Sequence, residues 1–174
     1  MKVSFLDLAK SRYSVRDFQS KKVQNEKLLA VLEAGRVAPT AANQQSQRLI
    51  VVHEPEGLSK ISKATNIYGA PLAIIVYSDR NVAWERPFDG KSMVDIDASI
   101  ITDHMMLQAT DLGLGSLWIT YFNPDVIKKE FNLPENLEPI NILALGYKNG
   151  ESLSHDRHSM TRYPLNKTVF YEKL

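Results

Sequence analysis

The chain has no cysteine. That excludes a disulfide framework, a thiolate nucleophile, a zinc–thiolate site and a Cys-ligated iron–sulfur cluster. It also lacks an excess of either charge: 21 Lys and Arg stand against 20 Asp and Glu, for a formal net charge of +1. Such a balance exerts no global pull towards nucleic acid or a membrane surface. No uncharged apolar run reaches membrane-spanning length. The opening M-K-V-S-F-L-D-L lacks the uninterrupted apolar core of a signal peptide, so the expected location is the cytoplasm. Internal repeats, low-complexity linkers, a P-loop and a supported Ser-His-Asp arrangement are missing too. What is present is ordinary for a globular protein, 44% hydrophobic and 24% charged over 174 residues. That length suffices for one domain with a full core, expected to span residues 1–174.

The apolar pattern predicts alternating helices and strands. Ser4 followed by Asp7 is a capping signal for a short helix with Phe5, Leu6 and Ala9 on its stripe. A second helix starts near Asn25 and must stop near Val37, because Pro39 disfavours helical backbone in the residue before it. Residues 48–53 and 72–77 read as buried strands, with a short helix over 58–65 between them. Residues 79–92 are irregular, and there Trp84 and Phe88 are either a lid over a substrate or anchors for a long connection. Residues 95–112 form the longest helical pattern, apolar over more than one stripe, which places the helix in a core or against a partner chain. Gly113 suits a helix C-cap and residues 116–120 a strand. Asn123-Pro124 is a cap and first-turn proline for a helix through Phe131, and 139–145 is a further strand.

Three stretches carry candidate chemistry. In S-R-Y-S-V-R-D-F, residues 11–18, extended backbone puts Arg12, Ser14 and Arg16 on one side. Two guanidiniums and a hydroxyl suit a dianionic phosphate; a solvated basic turn is the plain alternative. A-P-T-A-A-N-Q-Q, residues 38–45, is a small polar loop. The Gly-x-Gly at 113–115 follows a helix and opens a strand, the reverse of the dinucleotide-binding order. Among the histidines, His155 and His158 could share a helical face but have no third ligand nearby, and His104 reads as a core or interface residue. Asp95, Asp97 and Asp103 could suggest Mg²⁺, but Asp97 suits a helix N-terminus better. No metal site is expected.

Taken together, R-x-S-x-R-x-F, A-P-T-x-x-N-x-Q and the run Asp97, Ala109, Gly113, Gly115, Ser116, Trp118 resemble the three signatures of the nitroreductase family, flavoenzymes that bind FMN. Gly146-Tyr147-Lys148, and Arg162 two residues before Pro164, fit the same pattern. The resemblance implies an α+β fold with a central mixed, mostly antiparallel sheet flanked by helices, dimeric about a long apolar central helix. It implies FMN with its phosphate on Arg12 and Ser14, joined by Arg162, and its pyrimidine edge against Arg16; Tyr13 belongs to the same set. Pro39, Thr40 and Ala41 would contact the cofactor and Asn43 hydrogen-bond it, reaching in from the partner subunit of a homodimer with shared sites, while Gln45 supports the loop. The backbone at Gly115 and Ser116 would approach the flavin. The sequence departs from the family at Ser46-Gln47, where Pro-Trp is common, and at Met160, where larger relatives carry lysine.

No acid, base or nucleophile is needed, since a flavin carries the hydride chemistry itself. The expected activity is that of an FMN oxidoreductase. NADH or NADPH reduces the flavin, and a small-molecule acceptor such as a nitroaromatic or quinone then takes the electrons by a ping-pong route. The alternative is a non-catalytic flavin-binding or flavin-handling protein on the same scaffold.

Overall fold

The computed structural model describes residues 4–173. The first three residues of the stretch tested above for a signal peptide lie outside it. Four strands, β1 (Gln47–Val52), β2 (Leu72–Asp79), β3 (Gly115–Ile119) and β4 (Leu137–Gly146), form one sheet in the order β1-β2-β4-β3. All three ladders are antiparallel, which corrects the expected mixed sheet. Among the described residues the one parallel pairing is an isolated bridge, Ser14 to Ser116.

Helices cover both faces of the sheet, which is why β2 and β4 read as continuous apolar runs rather than alternating ones. Successive residues of β2 go to opposite sides. Ala73, Ile75 and Tyr77 pack with Ile61 of α3 (Pro55–Ser62) and Ile127 of α5 (Pro124–Glu130). Leu72, Ile74 and Val76 pack with Val31 of α2 (Asn25–Arg36) and with Ala98, Ile101, Met105 and Ala109 of α4 (Val94–Asp111). Short helices α1 (Phe5–Ser11) and α6 (Arg157–Thr161) carry the two ends of the chain.

The local signals explain most boundaries. The Ser4 hydroxyl accepts from the Asp7 amide, and the Asn123 side chain accepts from the Asp125 and Val126 amides. Gly113, at φ +73°, takes the left-handed position that ends α4. Two expectations need correction. Helix α3 starts at Pro55, not Leu58, because proline is well suited to a first turn. Strand β1 is an edge strand, and of its residues only Val52 is fully buried. Its β-branched composition is shared by edge and central strands, so composition alone could not separate them.

Candidate functional site

Strand β3 ends the sheet, and its outer edge would be an unpaired row of amides and carbonyls. Residues 12–16 cover it. The Val15 amide donates to the Ser116 carbonyl at 2.9 Å, and Ser14 bridges Ser116 in parallel. The alternation read from the sequence holds: Val15 is buried against the core, while Ser14 and Arg16 are exposed and Arg12 is half-buried. Gly115 is what lets this arm dock. A Cβ there would lie 2.9 Å from Val15 Cγ2, so the close approach at Gly115 is made by the chain's own arm.

Two cavities lie along this edge. The first, of about 210 Å³, has Arg12, Tyr13, Thr110, Gly115, Ser116 and Lys148 in its wall. The second, of about 350 Å³, has Arg16, Asn66, Tyr68, Trp118 and Tyr121. Arg12 and Arg16 are four extended residues apart, roughly 13 Å at 3.3 Å per residue. Tyr68 holds a left-handed backbone, φ 55°, fastened by its amide donating to Asn66 Oδ1 at 2.7 Å. Such strain in an aromatic residue persists only where its surroundings enforce it. The indole N–H of Trp118 is buried without a partner among the described residues.

The first cavity is strongly cationic. Burial lowers the Arg12 pKa below its ordinary value, Arg157 and Arg162 lower it further, and Asp103 alone opposes them. Arg157 donates to the Arg12 carbonyl and, at 2.7 Å, to the Ser154 carbonyl. The Lys148 ammonium is 5.7 Å from the Tyr13 ring centroid and hydrogen-bonds Ser152. Ser116 Oγ is buried in the wall and has no partner among the described residues. Sequence reasoning placed Arg162 here but missed Lys148 and Arg157. These two bring positive charge that the Met160 departure seemed to remove; Met160 itself is exposed. Arg157 sits in the polar tail, where charged residues carry no periodic signal, and Lys148 was read only as part of the Gly146-Tyr147-Lys148 exit from the last strand.

The loop 38–45 is elsewhere. Its Ala41 amide donates to Asp97 Oδ1 at 2.9 Å, and Asp97 is buried in the first turn of α4. The Gln45 amide donates to Thr40 Oγ1 at 3.2 Å, and the Gln45 side-chain amide to the Asn43 carbonyl at 3.2 Å. Ala42, Asn43 and Gln45 all have positive φ, at 49°, 54° and 52°. Three non-glycine residues in that region make a stiff, strained turn. Pro39 and Asn43 are exposed, and Thr40 and Ala41 partly so. The departure at Ser46 is accommodated by a buried hydroxyl pair, Ser46 to Ser78 at 2.9 Å.

Asp97 holds the loop at one end of α4, while Thr110 lines the cationic cavity at the other. The two are about 20 Å apart along the axis at 1.5 Å per residue. Neither cavity along β3 has a residue of 39–43 in its wall. One chain therefore brings together Arg12, Tyr13, Ser14, Arg16, Gly115, Ser116 and Arg162, and keeps Pro39, Thr40, Ala41 and Asn43 away from them.

Antiparallel sheet, two helical layers and a basic arm on a sheet edge define an α+β protein with a cation-lined cavity at that edge. The nitroreductase family model matches residues 9–67 and 62–147, and the chain belongs to that family. A nitroreductase family protein from Clostridium difficile 630 is 59% identical and superposes with a TM-score of 0.97 over 99% of this chain and 100% of that one. An FMN-dependent nitroreductase from Clostridium difficile R20291 is 27% identical, with a TM-score of 0.76 over 96% of this chain and 98% of that one. The Bacillus subtilis protein named FMN reductase (NAD(P)H) is 27% identical over 163 residues, 83% of this chain and 66% of that protein.

Proposed function

We propose that this chain is an NAD(P)H-dependent FMN oxidoreductase, one FMN-binding domain over 1–174 that works as a homodimer. The observation that carries the reading is the cationic cavity. Arg12 is half-buried beside Arg157 and Arg162, Lys148 shares the wall, and Asp103 is the one carboxylate acting on Arg12. Cations crowded this way are stabilised by a dianion. The unpartnered Ser116 hydroxyl adds a donor, so the residues present fit a phosphate monoester.

In this reading Arg12, Ser14 and Arg162 hold the FMN phosphate, with Lys148 and Arg157 completing the field. Tyr13 packs under Lys148 and steadies it. Arg16, one cavity along, takes the pyrimidine edge, so the ring lies among Asn66, Tyr68, Trp118 and Tyr121. Gly115 admits the arm and Ser116 lines the phosphate end. Bound FMN would accept a hydride from NADH or NADPH and pass two electrons to a nitroaromatic, quinone or similar acceptor, in a ping-pong sequence. Those nicotinamides are reductants of the cytoplasm, the setting we assign.

The separation along α4 supports the shared site. Pro39, Thr40, Ala41 and Asn43 can reach a flavin held by the arm only from a second copy. The apolar cleft of about 790 Å³ between α1, α2 and α4, with Phe5, Leu8, Ala34, Val37 and Leu107 in its wall, is a surface such a copy would cover.

Purified protein should show flavin absorbance, acid should release FMN and not FAD, and anaerobic NADH or NADPH should bleach it. A colourless protein that ignores added FMN overturns the reading. A flavin that binds but is not reduced by either nicotinamide leaves a binding protein in place of an enzyme.

A further inference from the structure

From Asn149 to Lys173 every residue is exposed except Arg157 and His158 of α6, which are half-buried. Helix α6 buries no residue. What fastens it is polar, and both fastenings reach the C-terminal end of α1. His158 Nε2 donates to the Lys10 carbonyl at 3.2 Å. One arm of the Arg157 guanidinium donates to the Arg12 carbonyl, while the other holds the Ser154 carbonyl at 2.7 Å. Lys10 lies in the last turn of α1, and Arg12 is its C-cap and the start of the arm. Carbonyls there have no partner within the helix, and cationic donors are favoured beside them.

The segment leaves the fold from a firm root. Lys148 bridges Phe18, the Gln19 side-chain amide donates to the Lys148 carbonyl at 2.8 Å, and the Asn149 amide donates to the Asp17 carbonyl at 3.0 Å. Gly150, at φ +67°, then turns the chain back over the cavity, whose wall includes Ser152. Residues 150–162 are thus rooted at one end and clasped near the other by two side chains. A segment with so little buried surface opens at low cost. Closing it brings Arg157 and Arg162 up to Arg12, an approach of like charges that a phosphate dianion turns favourable. An uncharged ligand offers no such gain, and only a ligand that distinguishes two states shifts their balance.

We infer that residues 150–162 are a strap that closes over the FMN phosphate, with Arg157 and His158 as its clasp, and that opening of the strap sets the rate at which FMN leaves. The inference rests on the FMN reading above. It makes the flavin a group held through many turnovers, not one exchanged in each. His158 is a positioning residue, absent from the cavity wall and acting through the end of α1.

The test follows release of FMN, and separately of riboflavin, from the loaded protein by stopped-flow dilution and flavin fluorescence. His158→Ala should speed FMN release about three- to tenfold, the effect of one hydrogen bond, with association changed less than twofold. His158→Gln, which keeps a donor, should restore slow release. Arg157→Lys keeps the charge and loses the fork, and it too should release FMN faster. Riboflavin should leave all these proteins at the parental rate. In the parent, amide hydrogen exchange over 154–162 should slow on adding FMN and not on adding riboflavin. Parental FMN release from His158→Ala or Arg157→Lys, or equal protection by the two flavins, overturns the inference and leaves the FMN reading standing. A protein that binds no FMN overturns both.

Discussion

Towards the C-terminal end of α4, three arginines and a lysine gather with Asp103 as the one carboxylate acting on Arg12. Burial, then Arg157 and Arg162, lower the Arg12 pKa, Lys148 stands in the same wall, and Ser116 keeps a buried hydroxyl without a partner among the described residues. At the N-terminal end, a single buried carboxylate, Asp97, is engaged by the chain's own Ala41 amide, and the loop it holds faces outwards. The first end has polar groups waiting for a ligand. The second uses one oxygen of Asp97 to fix the shape of a segment that projects, and leaves the other buried without a partner among the described residues. An end that receives and an end that presents, about 20 Å apart on one helix, are what a site completed between two copies requires.

The largest effect should come from removing the arm itself. Gly115→Val places atoms where Val15 packs, 2.9 Å from the first added carbon. FMN binding should fall below detection at micromolar protein by fluorescence titration, with a stability loss of about 1–3 kcal/mol from overpacking. If the variant still binds FMN as the parent does, the arm is not the receiving element.

Arg12→Ala should weaken FMN about tenfold to a hundredfold, because hydrogen bonds to charged groups contribute roughly 1.5–3 kcal/mol each. Riboflavin, which lacks the phosphate, should bind less tightly than FMN and respond little to the change. Equal losses for both ligands would place Arg12 away from the phosphate.

Asp97→Ala acts at the other end. It leaves the Ala41 amide without its acceptor, at a cost of about 1–3 kcal/mol in thermal or denaturant unfolding. Its signature is a shared one: an Arg12→Ala chain paired with an Asp97→Ala chain should rescue activity at one intact site, whereas an Arg12→Ala, Asp97→Ala double variant paired with a parent chain should not, since that variant supplies the only loop to the intact arm. Rescue from such a pair would break the comparison between the two ends.

The smallest effect is Phe88→Ala on folding. A side chain 95% exposed should change stability by no more than about 0.5 kcal/mol in denaturant unfolding.

Much of the receiving end could be read from residues 11–18, because extended backbone and charge alternation are local properties. The same is true of the caps at Ser4, Asn123 and Gly113. The presenting end was harder. That Ala41 donates to Asp97 couples residues 56 apart, and no spacing rule connects a loop amide to a helix's first turn. Asp97 was legible as a first-turn carboxylate but not as the loop's anchor. Gly115 was picked for a close approach to the flavin; its packing on Val15 was not legible, because a sequence pattern cannot place that residue opposite it. Arg157 escaped notice, and Lys148 was noted only in the Gly146-Tyr147-Lys148 exit and not placed at the site, because charge near a site depends on how the chain folds back, as Arg157 does onto the Arg12 carbonyl. Two of the corrected assignments, β1 as a buried strand and a mixed sheet, concern neighbours across the sheet, which composition does not reveal.

Sedimentation of the FMN-loaded protein at micromolar concentration, with flavin absorbance and NAD(P)H turnover followed on the same species, tests the separation of the two ends most directly. The account predicts that colour and activity travel with a dimer holding two flavins, and that removing FMN shifts the equilibrium towards monomer, as mass action requires of a ligand bound by the assembled form. A flavin-loaded, fully active monomer would contradict it.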